Sequence, residues 1–408
     1  MTKLQVIQVG TLIEQKKVDL QTGPFGTQLK ASEYVEEGIP LLNVRNIGIG
    51  ELKPEKLEFI SHSKAEILGV HRLEANDIVF GRKGAVERHL FVKQGQKGWV
   101  QGSDCLRLRF LTDEISPLFV SYYFRTKGHQ DWMNALCSFG ATMTSLNQDI
   151  IGKIQLPLPP LPLQCRIAEI LSAYDELIEV NTQRIRLLED SARQLYREWF
   201  VRMRFPGWKG VRMVKGVPEG WAVKELIAMV KMKMGQSPES KYYNEEGIGL
   251  PFHQGVGNYG QRYPEHKIFC SIEGRTANAG DVLFSVRAPV GRLNISDRKI
   301  IIGRGLAAMS HKKGLNSFLY YLLQNEFSKE DIIGNGSIFN SVGKTELEKF
   351  KVFDPGVLAE KFDQIIKPFD EQLKILYSQN THLRQIRDRL LPRLVGGKLA
   401  VREDSHLA

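Results

Sequence analysis

The chain has 408 residues, of which 42% are hydrophobic and 25% charged, and its formal net charge is +10 at pH 7. These proportions are typical of a globular protein in water and exclude wholesale disorder, a collagen-like repeat and a membrane-embedded bundle. At roughly 100–200 residues per domain, the length predicts two domains, and the positive charge favours a polyanionic partner without naming it.

The cysteines and the apolar runs argue against an exported or metal-clustered protein. Cys105, Cys137, Cys165 and Cys270 form no C-x-x-C pair, so neither a zinc cluster nor a disulfide framework is indicated. No apolar run approaches the ~18–20 residues of a membrane span, and the amino terminus lacks the pattern of a signal peptide. We therefore expect a cytoplasmic protein.

Short motifs return in the same order in the two halves of the chain. Tyr34-Val-Glu-Glu-Gly-Ile39 returns as Tyr243-Asn-Glu-Glu-Gly-Ile248, and Ala75-Asn-Asp-Ile-Val-Phe80 returns as Ala279-Gly-Asp-Val-Leu-Phe284. Because the order is kept and the similarity is local, the pattern indicates an internal duplication rather than a repeat array.

Each half begins with a segment that reads as a compact α+β domain. Alternating or apolar runs bounded by Gly, Asn or Pro predict strands around residues 40–44, 77–80, 105–110, 251–254, 281–286 and 299–302. Aromatic and leucine residues near Leu118–Thr126 and Ser317–Asn325 predict one short helix in each half.

Each half closes with apolar residues spaced alternately by four and three positions, the pattern of a coiled-coil seam. Asn181 and Asn380 stand in these series, where a buried asparagine can fix the register. Since a helix with one apolar seam cannot satisfy itself in water, we expect the two helices to pair, antiparallel if a pseudo-twofold axis relates the halves. The predicted seam residues are Ile167, Leu171, Tyr174, Ile178, Ile185, Leu188, Leu195, Phe362, Ile366, Phe369, Leu373, Leu376, Leu383 and Leu390.

Pro368 stands inside the second seam, where proline removes a helical hydrogen bond. Two interpretations remain: a helix kinked at Pro368, or a helix that begins at Pro368 after a short turn. The predicted organisation is a first domain, a central long helix, a second domain, a second long helix and a tail, over residues 1–160, 161–205, 206–357, 358–397 and 398–408.

No strong signature of an active site is present. Gly343-Lys344-Thr345 follows Gly336 with six residues between the two glycines, whereas a phosphate loop has four. The sequence lacks H-E-x-x-H, G-x-S-x-G and the Asp/Asn-Pro-Pro-aromatic motif of amino-methyltransferases. We therefore predict no catalytic, cofactor-binding or metal-binding residues in this chain.

The central segment resembles the specificity subunit of type I restriction–modification systems. The residues that carry the resemblance are Leu156-Pro-Leu-Pro-Pro-Leu161, Gln164-Cys-Arg-Ile-Ala-Glu-Ile-Leu171, Asp175 and Arg197-Glu-Trp-Phe200. Further similarity lies in Gly23-Pro-Phe-Gly26, Tyr34-Val-Glu-Glu-Gly-Ile-Pro40, Val44-Arg-Asn46 and Val217-Pro-Glu-Gly-Trp221, so that it covers nearly the whole chain.

The resemblance implies an α+β protein with two homologous α/β target-recognition domains separated by two long antiparallel coiled-coil helices. It also implies a non-catalytic subunit of the prokaryotic cytoplasm, in which each domain reads one half of a split DNA target and the helices set the spacer. The implied partners are double-stranded DNA, two methyltransferase subunits with S-adenosylmethionine, and restriction subunits with ATP and Mg. The alternatives are a coiled-coil scaffold that touches no DNA, and a self-contained DNA methyltransferase or nuclease.

DNA recognition needs cationic side chains that position the protein on phosphates and polar side chains that read base edges. Basic turns and polar loops at corresponding places in the two halves offer both, although ordinary solvated turns have the same composition. The candidate DNA-binding residues are Arg45, Asn46, Arg82, Lys83, Arg88, Thr142, Ser145, Asn147, Gln254, Asn258, Tyr259, Arg262, Arg287, Arg292, Asn340 and Lys344.

Overall fold

The computed structural model describes residues 5–137, 145–214, 216–327 and 341–399. The chain divides into two compact units, unit 1 with Met1–Val180 and Gln379–Ala408, and unit 2 with Asn181–Ser378. Each unit therefore contains one mixed domain together with part of each long helix. Among the described residues, no helix is both long and apolar enough to cross a membrane.

Unit 1 contains two mixed sheets and a two-stranded ribbon. The strands are β1 Gln5–Gln8, β2 Val18–Thr22, β3 Tyr34–Val35, β4 Ile39–Leu42, β5 Ile49–Gly50, β6 Glu58–Ile60, β7 Ile78–Gly81, β8 His89–Phe91, β9 Val100–Gln101, β10 Cys105–Phe110 and β11 Gln155–Leu158. The two sheets have the orders β2-β10-β7-β8-β5 and β3-β6-β4-β9, and the ribbon pairs β1 with β11. Only β5–β8 and β4–β9 of the described pairings are parallel. The helices are α1 Val9–Glu14, α2 His62–Ile67, α3 Pro117–Phe124, α4 Lys127–Cys137, α5 Gln148–Gly152 and the start of the long helix α6 Leu161–Tyr196.

Unit 2 repeats the central strand order of unit 1 but differs at the sheet edges. Its strands are β12 Met213–Val214, β13 Val217–Pro218, β14 Ala222–Glu225, β15 Val230–Met234, β16 Tyr243–Asn244, β17 Leu250–His253, β18 Phe269–Cys270, β19 Thr276–Ala277, β20 Val282–Ser285, β21 Leu293–Ile295, β22 Ile300–Ile302, β23 Leu306–His311 and β24 Lys351–Asp354. They form sheets with the orders β15-β23-β20-β21, β16-β18-β17-β22-β19, β14-β24 and β12-β13, with β17–β22 parallel. The helices are α7 Leu226–Met229, α8 Asn316–Glu326, α9 Lys344–Lys349 and the long α10 Val357–Val395, which ends in unit 1.

One repeated motif shows why similar residues occur at corresponding positions of the two halves. Before β7, the Asp77 carboxylate accepts a hydrogen bond from the backbone N–H of Glu74, and before β20, Asp281 accepts one from Asn278, each at 2.7 Å. The residue preceding each aspartate has a positive φ, 73° at Asn76 and 85° at Gly280, which suits asparagine and glycine. The predicted duplication is thus confirmed at the level of a single turn.

The mixed domain and the long helices share one hydrophobic core in each unit. In unit 1, the core that contains Phe119 of α3 also contains Leu171 of α6 and Leu394 of α10. In unit 2, the core around Phe318 of α8 includes Tyr196 of α6. The helices therefore form part of the folded core rather than a separate appendage.

The antiparallel arrangement of the helices is confirmed within each unit. In unit 1, the Asn380 amide donates to the carbonyl oxygen of Ile178 at 3.4 Å, and farther along, Leu171 shares a cluster with Leu391. In unit 2, Ile185 packs with Leu373 and Leu376, and Tyr196 contacts Phe362.

The structure buries eight of the predicted seam residues and half-buries the other six. The buried ones are Ile167, Leu171, Ile178, Ile185, Phe362, Ile366, Leu373 and Leu376. The half-buried ones are Tyr174, Leu188, Leu195, Phe369, Leu383 and Leu390.

Helix α10 runs without interruption through Pro368. The interpretation in which the helix begins at Pro368 is therefore wrong. Pro368 lies on an exposed position, where the carbonyl group left without a helical donor can bond water. Helix α6 ends earlier than residue 205: it continues only as a π-helical segment, Arg197–Val201, before Met203 adopts a φ of 57°.

Replacing Leu373 by alanine is expected to lower the free energy of unfolding by about 2–5 kcal/mol, because it removes a fully buried seam side chain. The matched control is Ile375→Ala on the same helix, whose side chain is 57% exposed and whose loss is expected to cost about 0.5 kcal/mol or less. Urea denaturation followed by circular dichroism measures both. Equal effects of the two substitutions would show that the seam does not stabilise the pair.

Candidate nucleic-acid interface

The basic turn and the polar loop that the sequence indicated in the first half meet in unit 1. Lys83, the second residue after β7, forms an isolated β-bridge with Ser145. The backbone N–H of Leu146 donates to the carbonyl oxygen of Arg82 at 2.8 Å. Two segments that lie far apart in sequence thus form one surface.

Unit 2 has the same junction at the corresponding residues. Arg287, the second residue after β20, forms an isolated β-bridge with Ser341, and the backbone N–H of Val342 donates to the carbonyl oxygen of Val286 at 2.9 Å. We name these two regions the unit 1 junction (Arg82, Lys83, Ser145 and Leu146) and the unit 2 junction (Val286, Arg287, Ser341 and Val342).

The cationic side chains at the junctions and in the neighbouring turns are accessible to a phosphate group. Lys83 pairs with Asp104 at 3.1 Å, Arg88 with Glu87 at 3.7 Å, and Lys344 with Glu348 at 3.4 Å, all of them solvent-accessible pairs. Such pairs contribute little to stability, so a phosphate can replace the carboxylate at small cost. Arg287 and Arg292 are exposed beside the unit 2 junction.

The polar candidates of the loops are only partly described. Ser145 is exposed, and Asn147 is an exposed residue that caps α5, with its side-chain oxygen accepting from the backbone N–H of Ile150 at 2.9 Å. This leaves the amide N–H₂ of Asn147 for other contacts. Thr142 and Asn340 lie outside the described residues.

Phe25 is a functional candidate that sequence reasoning missed. Its side chain is 55% exposed, and the Arg82 guanidinium lies 5.2 Å from the centre of its ring. The preceding Gly23 packs so closely on the chain that an added Cβ would lie 1.9 Å from the Gly102 carbonyl oxygen, which fixes the base of the loop. The Gly23-Pro-Phe-Gly26 motif was the available signal.

The matching loop of unit 2 has a different chemistry. Gly235 makes the same close approach, to the Gly303 carbonyl oxygen, but two residues later the chain carries Ser237 rather than a phenylalanine. The Ser237 hydroxyl donates to the side-chain oxygen of Gln254 at 2.7 Å. The two units therefore present different side chains on the same backbone frame.

The second-half loop divides into exposed and buried candidates. Gln254 is exposed and Asn258 is half-buried. Tyr259 packs on the cluster of Leu283 and Leu306, and burial raises the pKa of its hydroxyl. Tyr259 is accordingly corrected from a DNA-contacting residue to a packing residue.

The neighbouring candidates Arg45 and Asn46 differ in exposure and in their hydrogen-bond partners. The Arg45 guanidinium pairs with Glu58 and donates to the Lys56 carbonyl oxygen at 3.1 Å, on the surface. Asn46 is fully buried, and its amide donates to the carbonyl oxygens of Lys53 and Glu55 at 3.0 Å. Asn46 has no group left for DNA, so its assignment is corrected to a loop-closing role.

Arg262 requires the largest correction. Its side chain is 1% exposed, its guanidinium pairs with Asp370 of α10, and it lies 4.4 Å from the centre of the Tyr320 ring. A guanidinium enclosed in this way cannot reach a phosphate or a base. Arg262 is therefore a buried contact between the domain and the helix.

Residues 60–190 and 218–380 match the family model described as the type I restriction modification DNA specificity domain, and together they make up more than half of the chain. The chain belongs to the type I restriction–modification specificity family. The two matched ranges lie in the two halves of the duplication, and the resemblance deduced from the sequence is confirmed.

Members of the specificity family from Methanocaldococcus jannaschii are similar over most of their length. The specificity subunit assigned to the type I restriction enzyme MjaX is 29% identical over 374 residues, 90% of this chain and 88% of the relative. The MjaIX specificity subunit is 26% identical over 71% of each chain. The crystal structure of a type I restriction–modification S subunit from M. genitalium matches with a TM-score of 0.67 at 17% identity, covering 96% of both chains, which supports the fold.

Proposed function

We propose that this chain is the DNA specificity subunit of a type I restriction–modification complex, in which each mixed domain reads one half of a split target. The observation that carries the proposal is the repeated junction: in both units a cationic turn is bridged to a polar loop by the same backbone contact. Phosphate contacts position a protein on DNA and polar side chains select bases, so each junction combines the two requirements.

The differences between the units support two distinct half-sites. The frame is the same in both, but Phe25, which lies beside the Arg82 guanidinium in unit 1, is replaced at the corresponding place of unit 2 by Ser237, which is hydrogen-bonded to Gln254. Side chains that differ on a common frame would select different bases. The members of the family named as specificity subunits support the same role.

The long helices supply the spacer and the docking surface in this proposal. Besides the buried seam, α6 and α10 carry exposed apolar residues, Leu177 and Val180 in unit 1 and Leu187, Ile365 and Ile375 in unit 2. Exposed apolar residues on a helix are suited to a partner protein. We assign these residues of each unit to the docking of the methyltransferase subunits.

The chemistry resides on the partners. The methyltransferase subunits would carry S-adenosylmethionine, and restriction subunits would use ATP and Mg, while this chain contributes recognition alone in the prokaryotic cytoplasm. Among the described residues, no group of three or more His, Cys, Asp and Glu could hold a metal ion.

The test is selection of DNA from a randomised library by the chain assembled with its methyltransferase. The proposal predicts enrichment of two short sequences separated by a fixed gap of unread bases. A coiled-coil scaffold would enrich no sequence, and methylation or cleavage by the purified chain alone would favour the self-contained enzyme instead.

Replacing Phe25 by alanine is expected to weaken binding to the selected DNA about 10-fold. The reason is that the exposed ring is expected to contact an unstacked base step, and alanine removes that contact. The matched control is Leu111→Ala, an equally exposed apolar residue of the same unit, which should leave the affinity unchanged. Fluorescence anisotropy with labelled DNA measures both variants. Wild-type affinity in Phe25→Ala would remove this residue from the interface.

A further inference from the structure

A buried ionic cluster in unit 2 joins the mixed domain to both long helices. Arg262 comes from the domain and pairs with Asp370 of α10, and its guanidinium lies 3.6 Å from the Glu189 carboxylate of α6. The Ser317 hydroxyl at the start of α8 donates to the second oxygen of Asp370 at 2.5 Å, and Tyr377 donates to Glu189 at 3.2 Å. We call these residues the Arg262 cluster.

Unit 1 has a similar cluster, in which arginine and hydroxyl side chains donate to an aspartate. Arg125, at the end of α3, donates to Asp175 of α6 at 2.7 Å, and the Tyr122 hydroxyl donates to the same oxygen at 2.8 Å. Arg387 of α10 donates to the other oxygen of Asp175 at 2.5 Å. We call these residues the Arg125 cluster. It again takes members from the domain, from α6 and from α10.

The two aspartates stand at corresponding places of the duplicated helices. Asp175 directly follows the seam residue Tyr174, and Asp370 directly follows the seam residue Phe369. Each accepts one guanidinium and one hydroxyl hydrogen bond from its own domain. Because the donors differ between the halves, the shared feature is the connection itself and not a copied sequence motif.

The burial of these ion pairs restricts their geometry. The side chains of Arg262 and Arg125 are 1% and 13% exposed, and those of Asp370 and Asp175 are 21% and 22% exposed. Burial by itself raises the pKa of Asp175, but Arg125, Arg387 and Tyr122 together lower it below its ordinary value. A charge enclosed in this way tolerates few alternative geometries, whereas apolar packing around it accommodates small rotations.

We propose that the Arg125 and Arg262 clusters are positioning sites that fix the angle of each recognition domain on the helices, and thereby restrict the complex to one spacer length between the half-sites. This inference rests on the proposed function. One base pair advances the duplex by ~3.4 Å, so a small rotation of a domain about its attachment is enough to bring the neighbouring gap length within reach.

The test uses the complete complex with its methyltransferase and a set of DNA duplexes that carry both half-sites separated by the preferred gap or by one base pair more or fewer. The variants are Asp370→Asn and Asp175→Asn, which keep the shape and remove the charge. The controls are Glu360→Gln and Glu179→Gln, which break surface pairs between the same domains and helices, Lys313–Glu360 and Lys93–Glu179.

Wild type and both controls are expected to methylate the preferred gap selectively. In Asp370→Asn and Asp175→Asn, the ratio of methylation rates between the preferred gap and its neighbours should fall about 10-fold, while both half-site sequences stay unchanged. A role in stability alone would lower the rate on all duplexes equally and leave this ratio unchanged, which would overturn the inference.

Two milder variants keep the test decisive if the asparagine variants fail to fold. Ser317→Ala and Tyr122→Phe each remove a single hydrogen bond to the aspartate and leave the ion pair in place. A smaller loss of gap selectivity in these variants supports the inference, and wild-type selectivity in both contradicts it. If wild type modifies no split sequence at all, the proposed function fails and not this refinement of it.

Discussion

Replacing Arg262 by methionine is expected to lower the free energy of unfolding of unit 2 by about 3–5 kcal/mol. The substitution takes the buried Arg262 guanidinium away from the partly buried carboxylates of Asp370 and Glu189. It also removes the cation from the face of Tyr320. Urea denaturation of the full chain, followed by the fluorescence of its tryptophans, measures the loss.

The control for this prediction is Arg298→Met, which removes a surface arginine paired with Asp297 in the same unit. Its effect is expected to stay within about 0.5 kcal/mol. The double variant Arg262→Met/Asp370→Leu should recover part of the stability, since replacing both partners removes the uncompensated charge. If Arg262→Met proves as mild as the surface control, Arg262 does not hold the domain to the helix.

The triple variant Lys83→Gln/Arg287→Gln/Arg292→Gln is expected to bind every DNA sequence about 10²-fold more weakly at moderate salt. All three residues are exposed beside the junctions. Each lost phosphate contact also removes ~0.9 from the slope of log affinity against log salt, so three contacts should flatten the slope by about 2.7. Titrations at several salt concentrations measure both quantities.

The matched control removes the same net charge elsewhere. Lys127, Lys241 and Lys267 are exposed lysines in surface ion pairs and belong to neither junction, and their replacement by glutamine should leave the slope unchanged. Should both triple variants flatten the slope equally, binding would follow the total charge of the chain and the junctions would have no special part in it.

Periodic features of the chain were predictable because they repeat over many residues. The spacing of Leu171, Ile178, Leu373 and Leu376 identified both seams, and all four side chains are buried. The repeated turns at Asp77 and Asp281 likewise indicated the duplication, and each aspartate forms the same hydrogen bond. Such signals are local, and no knowledge of tertiary contacts is needed to detect them.

The roles of single polar residues were not predictable in the same way. The residues around Arg262 are of the types found in DNA-binding loops, but its partners Asp370 and Glu189 are far away in sequence. The Asn46 amide likewise donates its hydrogen bonds to backbone carbonyl oxygens of its own loop. Burial and partner choice depend on the tertiary fold, and residue type alone does not reveal them.

Phe25 shows the opposite error. The Gly23-Pro-Phe-Gly26 motif contains this aromatic residue, but its exposure and its contact with Arg82 arise only when the loop folds against the strand end. Pro368 illustrates the same limit for helices, because its tolerance in α10 depends on the exposure of that face.

We propose that this chain directs methylation to a split DNA target. The most direct measurement is single-molecule sequencing for N6-methyladenine of genomic DNA from cells that express the chain with its methyltransferase, and from cells that lack only this chain. We expect one split motif with a fixed gap, methylated only when the chain is present. Identical methylation in both cell lines, with the methyltransferase shown to be active, would contradict it.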